Sequence, residues 1–106
     1  MSRKTNESPD SNTDLLDDTT VKEPNMYKVI VLNDDYTPMD FVIYVMKNIF
    51  GHNDAQAEKI MLDIHKKGAG LAGTFSFEVA ETKSYSMNQL AKDNKYPLKS
   101  YVEEDK

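Results

Sequence analysis

The chain has 106 residues, a net charge of −5 and no cysteine. That length allows one small domain, and the missing thiols exclude disulfides, cysteine nucleophiles and cysteine-ligated zinc. Arg3 is the only arginine and the lysines are dispersed, so the clustered cations that neutralise nucleic-acid phosphates are lacking.

Met1, Leu15, Leu16 and Val21 are the only large apolar side chains in residues 1–25, and no aromatic occurs there. Such a segment buries too little apolar surface to offset its ordering entropy, so a disordered N-terminal extension is expected. Leu15-Leu16, flanked by Asp14, Asp17 and Asp18, is a short candidate docking point for a partner. No apolar run follows Met-Ser-Arg-Lys and none approaches the ~20 residues of a membrane span. The reading is a soluble cytoplasmic protein with no membrane contact.

Residues 26–106 carry globular patterning. Tyr27-Lys-Val-Ile-Val-Leu32 is rich in β-branched and aromatic residues and ends at Asn-Asp-Asp, the signature of a strand. Thr37 is placed to cap a helix with Pro38 at its first position and Asp40 at the capping-box position. Phe41, Val42, Val45, Met46 and Ile49 then recur at helical spacing, and Gly51 ends the run. Asn53, with Gln56 three residues on, opens a second helix faced by Ala57, Ile60, Met61 and Ile64; Gly68 and Gly70 are read as its stop. Leu71 to Ala80 alternates as a strand would, a third helix is expected over Thr82 to Lys92 with Tyr85, Met87 and Leu90 inward, and Pro97 opens a last strand over Leu98 to Glu103. The order strand, helix, helix, strand, helix, strand predicts an α+β sandwich of one small sheet and three helices.

Chemistry concentrates where the first strand meets the first helix. Asn33, Asp34 and Asp35 admit two readings: side chains that organise a turn, or oxygens that bind a cation. His65 stands one turn after Met61 on the second helix, either as a cation at a helix C-terminus or as a ligand-facing group. No His-Glu-x-x-His pattern, phosphate loop or nucleophile elbow is present, so no metal, cofactor or catalytic role is assigned. Met39, Met61 and Ile64 are either ordinary core or the lining of an adaptable apolar pocket.

Met26-Tyr-Lys-Val-Ile-Val-Leu-Asn-Asp-Asp-Tyr-Thr-Pro-Met-Asp-Phe-Val-Ile43, Met61-Leu-Asp-Ile-His65, Phe77-Glu-Val-Ala-Glu-Thr-Lys83 and Tyr96-Pro-Leu98 together resemble the motifs of the ClpS adaptor family. The resemblance covers about residues 26–102. It implies a three-stranded antiparallel sheet packed on three helices, and a non-enzymatic adaptor of the N-degron pathway. Such an adaptor binds proteins that begin with Leu, Phe, Tyr or Trp and hands them to a ClpA-like AAA+ unfoldase coupled to the ClpP peptidase. By the same resemblance, Asn33, Asp34 and His65 would contact the substrate α-amino group. Met39, Val42, Met61, Ile64 and Leu98 would form the pocket, with Asp35 and Thr37 at its rim. Tyr36, Glu78 and Lys83 would face the unfoldase N-terminal domain, and the N-terminal extension would be engaged during delivery. A monomer is expected. The competing readings are a structural or ribosome-associated module, whose stalk-protein fold is similar, and a small acid–base hydrolase built on Asp34, Asp35 and His65.

Overall fold

The computed structural model of the protein describes residues 25–106. The extension expected over residues 1–25, with Leu15 and Leu16, lies outside the described residues apart from Asn25. Three strands and three helices follow in the order β1 (Met26–Leu32), α1 (Met39–Asn48), α2 (Asp54–Lys67), β2 (Ala69–Phe75), α3 (Phe77–Asp93) and β3 (Lys99–Asp105). The strands form one antiparallel sheet, β2-β1-β3, with β1 at its centre. This is the α+β arrangement that the order of the elements predicts.

Period-two alternation orients the central strand. Val29 and Val31 are fully buried, and they share one face of β1 because side chains alternate across a strand. Val45 and Met46 of α1, Ile60 and Ile64 of α2 and Met87 of α3 complete the core against that face. Ala57, Ala72, Ala80 and Ala91 are also fully buried, so helices and sheet approach closely at these points.

The caps differ in kind. Asn53 Oδ1 accepts a 2.8 Å hydrogen bond from the Gln56 N–H and opens α2 as expected. The helix stops at Gly68, whose φ of +89° is a conformation that side chains with a Cβ resist and whose N–H donates to the Ile64 carbonyl at 3.0 Å. At α1, Pro38 and not Thr37 holds the capping position, and no side chain caps the helix. The Thr37 hydroxyl is engaged by Asp34 instead, and the Pro38 carbonyl receives the first helical N–H groups, from Phe41 and Val42.

The second half of the chain departs from the sequence expectation. The strand expected over Leu71 to Ala80 ends at Phe75, and α3 begins at Phe77, five residues before Thr82. The alternation of Phe75, Phe77 and Val79 mimics a strand, yet Phe77 is 50% and Val79 42% exposed. The buried stripe of α3 is Ala80, Ser84, Met87 and Ala91, which is helical spacing written in small residues. Tyr85, expected inward, is 70% exposed. Leu98 precedes β3 as a buried residue of the connecting segment and does not start the strand.

Two buried serines join α3 to β3. Ser84 Oγ and Ser100 Oγ lie 2.7 Å apart. The Asn88 side chain accepts from the Ser100 N–H at 2.8 Å and donates to the Ser100 carbonyl at 3.1 Å. On the other flank, His52 Nε2 lies 2.6 Å from the Ala72 carbonyl and so donates to it, fixing the α1–α2 connection against β2.

Gly70 is a strand residue and does not stop α2. A Cβ there would lie 2.6 Å from Cγ1 of Ile64 and 3.4 Å from the Ile60 carbonyl oxygen. Ile64 is 2% exposed and β-branched, so it has little freedom to retreat. Gly70→Ala should therefore destabilise the fold by about 1–3 kcal/mol, the usual cost of overpacking, read as a lower urea midpoint at an unchanged slope.

Candidate functional site

The end of β1, the start of α1 and the C-terminal half of α2 enclose a cavity of 220 Å³. Its polar rim is Asn33, Asp34, Asp35, Thr37 and His65; its apolar floor is Val42, Met61 and Ile64, with Met39 at the mouth. Nine of the ten residues assigned to the α-amino site and pocket from the sequence thus surround one space. Leu98 does not line it, and faces a different hollow beside Tyr96 and Pro97. A volume below the roughly 300–1,000 Å³ of pockets for drug-sized ligands suits one side chain.

Local chemistry sets each position. β1 ends at Leu32, and the Asn33 N–H donates to the Gly68 carbonyl at 3.0 Å. That bond holds the exit of the central strand against the end of α2, where His65 stands in the last turn. Asp34 then folds the loop onto itself. Its Oδ1 accepts from the N–H groups of Tyr36 and Thr37 at 2.8 and 2.7 Å, and its Oδ2 accepts from the Thr37 hydroxyl at 2.8 Å. Met39, the first residue of α1, is 48% exposed at the mouth, whereas Val42, Met61 and Ile64 are nearly inaccessible.

The turn reading of Asp34 is therefore realised in full. It leaves the ligand reading open, because a carboxylate has about four acceptor sites and the loop uses three. Partial burial works to raise the Asp34 pKa, but the hydrogen bonds from Thr37 and Tyr36 outweigh it and hold the carboxyl below its ordinary value. The group is ionised at neutral pH, an anion fixed at the rim of an apolar cavity. Sequence reasoning missed the Thr37 hydroxyl as the donor that steadies this anion. The three-residue spacing from Asp34 to Thr37, typical of side chains that cap a nearby turn, was the available signal.

The residues assigned to the unfoldase face lie elsewhere. Tyr36 is 80% exposed on the loop outside the cavity. Glu78 and Lys83 border a shallow hollow on α3 with Val79 and Thr82. Lys83 is braced internally: its ammonium donates to the Ile49 carbonyl at 2.8 Å and lies 5.4 Å from the centre of the Phe75 ring. Among the described residues no group of three metal-ligating side chains occurs, and no helix is long and apolar enough to cross a membrane.

A depressed carboxyl has a signed consequence. The folded state holds the Asp34 proton less tightly than the unfolded chain does. Asp34 thus contributes stability above its unfolded pKa of ~3.9, and this is lost as pH falls through the lower folded value. Thr37→Val removes one stabilising donor, so the Asp34 carboxyl should titrate at higher pH than in the parent chain, followed by NMR of its side-chain carbon.

Comparison with known proteins fits this geometry. The family model described as "ATP-dependent Clp protease adaptor protein ClpS" matches residues 22–101. The ATP-dependent Clp protease adapter protein ClpS of Bdellovibrio bacteriovorus is 61% identical over 82 residues, 77% of this chain and 72% of that protein. Its namesake from Ruegeria pomeroyi is 44% identical over 105 residues, 99% of this chain and 93% of the other. Among solved structures, that of Agrobacterium tumefaciens ClpS2 bound to L-phenylalaninamide superposes with a TM-score of 0.76 at 34% identity, covering 78% of this chain and all of that one. The chain belongs to the ClpS family, adaptors of the ATP-dependent Clp protease and not enzymes.

Proposed function

We propose that the cavity binds the free N-terminal residue of proteins that begin with Leu, Phe, Tyr or Trp, for delivery to a Clp unfoldase and its peptidase. The observation that carries this reading is the union in one space of an ionised, hydrogen-bonded Asp34 and an apolar floor. A protonated α-amino group carries one charge and three donors. The remaining acceptor site of Asp34, the amide oxygen of Asn33 and an imidazole nitrogen of His65 supply three acceptors. The first side chain then passes Met39 and descends onto Val42, Met61 and Ile64. Burial of a Leu or Phe side chain contributes ~1.5–3 kcal/mol. The ligand in the Agrobacterium tumefaciens ClpS2 structure, L-phenylalaninamide, presents the same two features, a free amine and a bulky apolar side chain.

In this reading residues 26–106 are the binding domain and residues 1–25 an extension that the unfoldase engages. Glu78, Lys83 and Tyr36 meet the N-terminal domain of a ClpA-like unfoldase, and the exposed Phe77 and Val79 beside Glu78 add apolar area to that face. The setting is the cytoplasm, where such proteases meet their substrates. The protein acts as a monomer without a cofactor.

Fluorescence anisotropy with labelled peptides beginning Leu, acetyl-Leu or Ser tests the reading. Leu should bind at least ~10-fold more tightly than either control, as the loss of one charge-assisted contact or one buried side chain implies. Equal binding of all three, or none, would leave the domain an interaction module of another kind. Asp34→Asn keeps a side-chain oxygen for the turn and removes the charge, so it should still weaken Leu binding about 10-fold or more. Met39 stands at the mouth, where branching at Cβ would meet it first. Met39→Ala should admit peptides beginning with Ile or Val; unchanged selectivity would remove Met39 as the gate.

A further inference from the structure

A second hollow, of 710 Å³, opens between the last turns of α3 and the segment leading into β3. Tyr85, Tyr96 and Pro97 give it an aromatic and apolar wall, and Lys92, Lys95 and Lys99 surround it. Three lysines thus line one hollow in a chain whose net charge is −5. Among the described residues none of the three forms an ion pair. The C-terminal dipole of α3 accounts for a cation at Lys92. It does not account for Lys99, which comes from β3. Lys95 has a φ of +63°, the left-handed conformation in which glycine is the usual residue. A lysine there keeps a cation at the hollow despite the backbone strain.

We propose that this hollow is a docking groove for the chain's own acidic segment Asp14-Leu15-Leu16-Asp17-Asp18. The chemistry is complementary on both counts. Three carboxylates face three ammonium groups, and two leucines face an aromatic wall with no other occupant among the described residues. The reach is sufficient. Leu32, at the far end of β1 from the chain's entry, pairs with Lys99, so the groove lies about 20 Å along the strand from Met26. The roughly nine residues from Asn25 back to Leu16 span about 30 Å when extended. Solvent-exposed ion pairs are individually weak, but a tethered segment acts at an effective concentration of about 1 mM, so even millimolar affinity gives about half occupancy. The groove and the amine-facing loop lie at the same end of β1. A docked segment is therefore held beside the binding cavity and withheld from other partners until displaced.

The absence of cysteine makes the test clean. Thr13→Cys introduces a single thiol for a nitroxide label next to Asp14, in the full chain. Amide NMR signals of Gln89, Lys92, Lys95 and Lys99 should broaden selectively and recover when the nitroxide is reduced. Lys92→Glu combined with Lys99→Glu should cut that broadening at least about twofold, and so should 1 M salt, where the Debye length falls to about 3 Å. Lys99→Gln, a milder change, should act in the same direction if the double variant unfolds. Broadening that is spread over the chain, centred on the Glu78 and Lys83 face, or indifferent to charge reversal and salt would overturn the proposal. So would broadening that persists between labelled and unlabelled copies in a mixed sample, because the occupant would then be a second chain.

Discussion

One backbone hydrogen bond ties the molecule's two chemical halves together. Gly68 ends α2 in the left-handed conformation, turns the chain into β2, and presents its carbonyl to the Asn33 N–H. The pairing of Leu32 with Ala69 continues directly into this contact. The first residue after the central strand is thus fixed to the first residue after the second helix. Asn33 is itself one partner, with Asp34 directly after it, and His65 lies three residues before the other. A bond of this kind contributes only about 1 kcal/mol to stability, but it sets the spacing across the cavity. Gly70 carries the same constraint two residues on, because only a residue without a Cβ lets β2 lie so close to Ile64.

In the proposed reading Asp34 serves two ends with one carboxylate. Its bonds to Tyr36 and Thr37 fold the loop whether or not anything is bound. The anion is therefore already oriented and already desolvated in part, so a ligand need not order the loop on arrival. The apolar floor is equally preformed, since Val42, Met61 and Ile64 belong to the core as much as to the cavity. The site is an exposed corner of the hydrophobic interior and not a separate appendage.

Much of this was legible in the sequence, for identifiable reasons. Asn53 with Gln56, the apolar run from Ala57 to Ile64 and the terminating Gly68 speak with one voice, and α2 formed as they indicate. The strand before Asn33 and the cluster at its end were equally plain. The failures share a cause, which is that short-range pattern was ambiguous where long-range packing decided. Phe75, Phe77 and Val79 alternate as in a strand, but α3 turns Ala80, Ser84 and Ala91 inward, residues too small to write a visible apolar face. Gly70 looked like a helix stop because nothing local reveals that Ile64 will press against it. Thr37 looked like a helix cap because its hydroxyl has the right chemistry, and Asp34 claimed it first. Leu98 is buried as an apolar residue should be, but beside a different hollow.

The amide of Asn88 imitates a missing strand. It accepts from the Ser100 N–H and donates to the Ser100 carbonyl, the same pair of bonds that a neighbouring backbone would make. β3 lies at the edge of the sheet, and edges are where extended foreign chains add themselves. A protease adaptor works beside polypeptides that are being unraveled, each a reservoir of unpaired strands. By spending the hydrogen-bonding capacity of its edge on a side chain at Ser100, the protein denies those polypeptides a template at that point.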